Sequence, residues 1–231
     1  MTCEPPSSRA DGLADDDSLL IALQEAHQRI ENLETNLREM HHRVKNQMQM
    51  IAGLLELHAG YADNQCCSER LREAMGCLFC MSELHHLLSR DVGNGTADCR
   101  EYFGAVAKAL RRSNNVPGHV TLKVHAPKQD VNASLLSTAG VLATELVTNA
   151  VRHAFPDGAK GEVSLDLVSG RHTLTIIVHD NGVGLPPDMD PATGGGLGFD
   201  IVRNTARQRG GRMVVVSDHH GTTVTVSMSL N

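Results

Sequence analysis

Leu23, Ala26, Ile30, Leu33, Leu37, Met40 and Val44 follow one another at intervals of 3, 4, 3, 4, 3 and 4 residues. A row with that mean period stays in line only on a helix that winds around a partner, because a straight helix of 3.6 residues per turn drifts away from it. The row therefore predicts a long supercoiled helix. Its phase then changes. Met40, Val44 and Met48 are separated by two successive fours, followed by Ile51, Leu55 and His58. Such a stutter locally unwinds the coil.

The stretch HAGYADNQ (58–65) is expected to break the helix, and a second helix of about 66–90 carries Leu71, Ala74, Leu78, Met81, His85 and Leu88 at heptad spacing. Two long helices and a short loop make a hairpin. One hairpin has only half a core to bury, so two of them are expected to pair as a dimeric four-helix bundle. Residues 1–17 are polar, include the acidic run DGLADDD, and are read as a disordered tail. The hairpin is assigned to 18–92 and SRDVGNGTAD (89–98) is read as the linker.

From about residue 99 the periodicity changes. A helix of 99–112 precedes the strand-like HVTLKVHA. A helix follows in which Asn132 is a suitable N-cap. EVSLDLV and HTLTIIVHD alternate with period 2. After a Gly/Pro-rich stretch (181–198) come a helix of about 199–209 and the strands RMVVVS and TTVTVSMSL. This order predicts an α/β sandwich, one mixed sheet covered on one face by helices, over residues 93–231.

Composition excludes some classes of function. There are 21 Lys and Arg against 27 Asp and Glu, a net charge of −6. That balance disfavours sequence-independent nucleic-acid binding, which needs a cationic face. No uninterrupted apolar run reaches a membrane span and no signal-peptide pattern opens the chain, so a cytoplasmic protein is expected. The six cysteines are expected as thiols. Cys77 and Cys80 form a C-x-x-C, but they fall within an amphipathic pattern and have no second pair to complete a zinc site.

Three stretches carry chemistry. In ELVTNAVRHAF (145–155), Glu145, Asn149, Arg152 and His153 share one helix face, opposite the stripe Leu135, Ala139, Leu142, Leu146 and Ala150. Oxygen donors beside cations suit a hydrated Mg²⁺ ion with its phosphates. In HDNGVGLP (179–186), Asp180 ends a strand before Gly182 and Gly184. In TGGGLGFDIV (193–202), four glycines open a helix, a pattern whose bare N–H groups suit an anion.

In combination and in this order the three resemble the N box and glycine boxes of the GHKL (Bergerat-fold) ATP-binding superfamily. The resemblance covers about residues 99–231. It implies Mg²⁺ on Asn149, the adenine amino group on Asp180, and a triphosphate bordered by Gly194, Gly195, Gly196, Leu197 and Gly198, with 185–194 as a short lid. Thr222 or Thr223, in GTTV, stands where the family places a further nucleotide-pocket Thr.

Upstream, REMHHRVKNQMQ resembles the H box of the sensor histidine kinases whose motif reads HHRVKNN, a sister class of the HWE kinases. Gln47 replaces the second Asn, and the chain has no Trp. The resemblance implies phosphorylation of His42. If Leu23 is an a position, His42 falls at f, furthest from the seam. It also implies ATP and Mg²⁺ as cofactors and a response-regulator receiver domain as partner; the half-covered hairpin adds a second copy of the chain, and a separate sensor protein is one expected source of the signal, since no sensor domain fits in residues 1–18.

Arg43 stands where many such kinases place an acidic proton acceptor. Glu39 and Glu145 both stay open for that role. Asn46, one turn beyond His42, is a candidate for positioning a phosphatase water. His85 and His86 are read as a coincidence of helix faces. Two other functions remain: a phosphotransfer adaptor that does not bind ATP, and an anti-sigma-type serine kinase.

Overall fold

The computed structural model describes residues 10–61, 65–89, 95–112, 116–186, 189 and 196–230. Helix α1 (Ala10–Tyr61) and helix α2 (Gln65–Leu88) form the expected hairpin. Two boundaries differ from expectation. Ala10–Asp17, read as disordered, is already helical. At the other end α1 continues through His58–Tyr61, all expected within the break.

The stutter divides α1 into two faces. Before it, Leu23, Ile30, Leu33, Leu37 and Met40 are between 44% and 63% exposed. His41 lies against His85, close to the end of α2, so most of α1 before His41 runs beyond its partner helix. After the stutter the packing face turns: Met48 is half-buried and Ala52 buried, whereas Ile51, expected in the seam, is exposed.

Helix α2 is buried on two sides. The expected row Leu71, Leu78, Met81, His85 and Leu88 is only half-buried, and Ala74 is exposed. Cys80, Leu84 and Leu87 are buried in one continuous core with residues of the following helices and sheet. One core thus joins α2 to the α/β part of the chain. Tyr102 donates its hydroxyl to the Cys80 carbonyl (3.2 Å), and Cys80 Sγ lies 2.9 Å from Thr144 Oγ1.

The short strands β1 (Thr96–Asp98) and β3 (Asp130–Asn132) pair antiparallel, so the expected linker is structured in its last residues. Asp98 Oδ1 accepts the Glu101 N–H at 2.8 Å and caps α3 (Cys99–Arg112). Asn132 caps α4 (Ala133–His153), accepting from the Ser134 N–H. The larger sheet contains β2 (Val120–His125), β4 (Gly161–Ser169), β5 (Thr173–Asp180), β6 (Arg212–Asp218) and β7 (Gly221–Ser229), in the order β2-β4-β5-β7-β6. Only β2 and β4 are parallel.

Alternate residues of β4, β5 and β7, including Val163, Leu165, Leu174, Ile176, Val226 and Met228, are buried beneath α3, α4 and α5 (Gly196–Gln208). This is the α/β sandwich that period-2 alternation predicted. Among the described residues α4 is the one helix long and apolar enough to cross a membrane. Here Leu136, Ala139, Leu142, Ala143 and Val147 are core residues under 2% exposed.

Candidate nucleotide cavity and phosphoacceptor

Asp180 and Thr222, 42 residues apart in the sequence, meet at the end of the sheet. The β5–β7 register places Asp180 beside Thr222. Asp180 is 4% exposed, and its Oδ1 accepts two backbone N–H groups, from Gly182 at 3.0 Å and Thr222 at 3.2 Å. Burial pushes its carboxyl above the ordinary value of 3.8, while the two N–H donors and the His179 ring pull it back. With Oδ1 so engaged, Oδ2 is the oxygen left to accept from a ligand.

Around this aspartate lies a cavity of about 370 Å³, within the range of a small-ligand site. Its polar wall includes Asn149, His153, Asp180 and Thr222, and its apolar wall Leu146, Val178, Met189 and Phe199. Thr222 is buried, whereas the Thr223 hydroxyl is 3.0 Å from His179 Nδ1 on the other side of β7. Of the two expected threonines, Thr222 is therefore the cavity residue.

Sequence reasoning missed the apolar wall, because period-2 alternation marks Val178 as buried without showing that it borders a cavity, and nothing marks Phe199. It also missed Ser217. The Leu185 N–H donates to Ser217 Oγ at 2.8 Å, and that hydroxyl lies 3.0 Å from Thr222 Oγ1. Ser217 thus ties the loop after Asp180 to the β6–β7 hairpin.

On α4, Asn149 donates Nδ2 to Glu145 Oε1 at 3.3 Å. The contact leaves the Asn149 Oδ1 carbonyl available, and a carboxylate beside it completes an oxygen-rich pair that fits Mg²⁺. Gly198 lies over this pair: a methyl group there would overlap Glu145 Oε1 unless that side chain turned aside. Gly184 has φ +75° and borders the cavity.

Arg152 is exposed and is not among the residues that line the cavity, unlike His153. Gly194, Gly195 and most of the expected lid lie outside the described residues, as do the Leu197 and Cys77 side chains. Cys80 and Cys99 are buried thiols outside any disulfide; burial and neighbouring Asp98 push Cys99 up to about 11. No metal-binding cluster of His, Cys, Asp and Glu exists among the described residues.

At the H box the two histidines differ. His42 is exposed. His41 is half-buried, with Nδ1 2.9 Å from His85 Nδ1. Burial lowers the pKa of both partners of that pair, and the neighbouring rings His42 and His41 add to the effect. The His42 and His86 rings stand edge to face, with centroids 6.5 Å apart. His85 and His86 are therefore not a coincidence of helix faces but the cross-helix neighbours of the H box. Glu39 accepts from Arg43 Nη2 at 2.6 Å.

Comparison with known proteins agrees with this layout. Residues 39–114 match the sequence model described as "Histidine kinase", and residues 138–231 that of the "Histidine kinase-, DNA gyrase B-, and HSP90-like ATPase". The chain belongs to the histidine kinases. It is 32% identical over 90% of its length to Blue-light-activated histidine kinase 2 of Erythrobacter litoralis, covering 60% of that protein. It is 29% identical over 74% of its length to the Sensor histidine kinase PdtaS of Mycobacterium tuberculosis, covering 34% of it. The chain thus spans about 60% and a third of these relatives. The solved histidine kinase domain of an Erythrobacter litoralis blue-light activated histidine kinase superposes with a TM-score of 0.62 at 25% identity. That match covers 84% of this chain and 95% of the solved one. The ATPase domain of this histidine kinase is thus the part that contains the cavity.

Proposed function

We propose that this chain is the catalytic core of a soluble two-component histidine kinase. Mg²⁺–ATP binds the cavity with its adenine amino group on Asp180 Oδ2 and its metal on Asn149 Oδ1. The γ-phosphoryl is transferred in line to His42, and then to an aspartate of a response-regulator receiver domain. Such transfers rely mainly on positioning and charge compensation. The bound metal would neutralise phosphate charge; Glu145 orients the Asn149 amide toward that task, and Gly198 lies over the pair. His42 as acceptor is supported by its exposure, whereas His41 Nδ1 is engaged with His85.

The observation that carries this reading is the cavity in which Asn149, Asp180 and Thr222 converge, on the same chain as an exposed H-box histidine. The test is incubation with labelled Mg²⁺–ATP. The label should be acid-labile and base-stable, absent in His42→Ala and Asn149→Ala, and only weakened in His41→Ala. Full labelling of His42→Ala would overturn the assignment. A phosphotransfer adaptor would show no nucleotide binding. An anti-sigma-type serine kinase would leave the matched hairpin without a role.

The seam on α1 supports assembly through two copies, since five large apolar residues there are exposed on the single chain. Asn46 is exposed one turn beyond His42. That placement supports a second activity, orientation of a water against the phosphorylated regulator. Asn46→Ala should slow dephosphorylation of a purified phosphorylated regulator while His42 still labels. An unchanged rate would remove this role.

A further inference from the structure

An imidazole that attacks phosphorus through one nitrogen becomes acidic at the other, and the proton there needs an acceptor. In this H box the obvious acceptors are engaged. Arg43, a cation, follows His42, and Glu39 is bound to Arg43 at 2.6 Å. Glu145 accepts from Asn149 at the nucleotide cavity. His41 Nδ1 is held by His85.

One ring nitrogen beside His42 is unused. His86 Nδ1 is buried and has no hydrogen-bond partner. A stranded polar atom of this kind costs about 1–3 kcal/mol, so its persistence calls for a partner that arrives during function. The ring packed against His86 is that of His42, edge to face, at 6.5 Å between centroids. The neighbouring His41–His85 rings, at 5.2 Å, already make a nitrogen–nitrogen contact of 2.9 Å. A side-chain rotation of the exposed His42 would be needed to bring its Nδ1 to His86. The His41–His85 bond fixes the helix register that keeps the second pair aligned.

Resting on the histidine kinase reading, we propose that His86 is the proton acceptor for His42. The Nε2 lone pair of neutral His42 forms the N–P bond as the bond between the γ-phosphorus and its bridging oxygen breaks, and ADP leaves with that electron pair. The Nδ1 proton of His42 moves to the Nδ1 lone pair of His86. The His86 imidazolium then releases its Nε2 proton to water. Before transfer, a hydrogen bond from His42 Nδ1–H to His86 Nδ1 would select the His42 tautomer whose Nε2 is free to attack.

The test is the single-turnover labelling rate of His42 in the full chain at saturating Mg²⁺–ATP, with nucleotide affinity and helical ellipticity measured in parallel. General-base catalysis is worth about 10²–10⁴-fold. His86→Ala should lose about 10²-fold in rate with nucleotide affinity and ellipticity unchanged, and added imidazole should restore part of the loss. His86→Asn keeps an acceptor near the Nδ1 position but cannot carry the proton, so it should stay slow. Parent-like rates in either variant would overturn the proposal, as would loss of ellipticity or nucleotide affinity in step with rate, or a failure of imidazole to rescue His86→Ala. If the parent itself forms no acid-labile label on His42, the histidine kinase reading fails first and takes the proposal with it.

Discussion

His41 and His85, 44 residues apart, share a hydrogen bond of 2.9 Å between their Nδ1 atoms across the α1–α2 hairpin. One ring must donate and the other accept, so the bond is complete when both imidazoles are neutral. Burial lowers the pKa of each below 6.5. The unfolded chain therefore binds more protons than the folded one as pH falls through 6.5, and stability declines until the lowered folded values are passed. Thermal melts followed at the helical ellipticity minimum should show a hairpin less stable at pH 5.5 than at pH 7.5. The double variant His41→Leu, His85→Leu should lose this share of the pH dependence. An unaltered dependence in the double variant would refute the role of the pair.

Asp180→Asn should separate folding from nucleotide recognition. The Asn carbonyl can still accept from Gly182 and Thr222, but the second position becomes a donor facing the ligand's amino group. Loss of one buried hydrogen bond and creation of a donor–donor conflict cost about 1–3 kcal/mol. The expected outcome is a roughly 10- to 100-fold weaker affinity for Mg²⁺–ATP, measured by competition with a fluorescent nucleotide, with an unchanged circular dichroism spectrum.

Gly140→Ala tests the junction between the hairpin and the sandwich. An added methyl group would overlap the Tyr102 hydroxyl, which itself holds the Cys80 carbonyl at 3.2 Å. Overpacking of this kind costs about 1–3 kcal/mol. The melting temperature should fall by roughly 2–4 °C per kcal/mol. Tyr102→Phe in the same chain should recover part of the loss; independent additive losses would show that the two residues do not collide.

The exposed seam of α1 should be an interface between two copies. Light scattering at micromolar concentration should give a dimer mass, and Leu33→Glu with Leu37→Glu should give a monomer. A parent that remains monomeric at that concentration would refute this assembly.

Local physical chemistry made much of this protein legible in its sequence. Helix α1 was readable because a 3.5-residue apolar period has one structural solution, and the strands because a half-buried sheet alternates with period 2. Asn132 was readable as a cap since its side chain satisfies an N–H only two residues away. The order of Asn149, Asp180 and the glycines indicated a nucleotide-binding family, since glycine is favoured where backbone approaches backbone closely, as at Gly182 against Ala154. Long-range packing was not legible. The heptad row of α2 gave one face, but Cys80, Leu84 and Leu87 are buried on another, because α3 and α4 supply a second partner that spacing within α2 does not encode. His85 and His86 looked incidental until the hairpin placed them against His41 and His42. Ser217 likewise acquires a role only when β6 pairs with β7 and brings it to Thr222. The sequence alone determined which elements form and which residues are chemically competent. The tertiary structure decided which of them meet, because contacts between residues far apart in the chain depend on the register of whole elements rather than on local spacing.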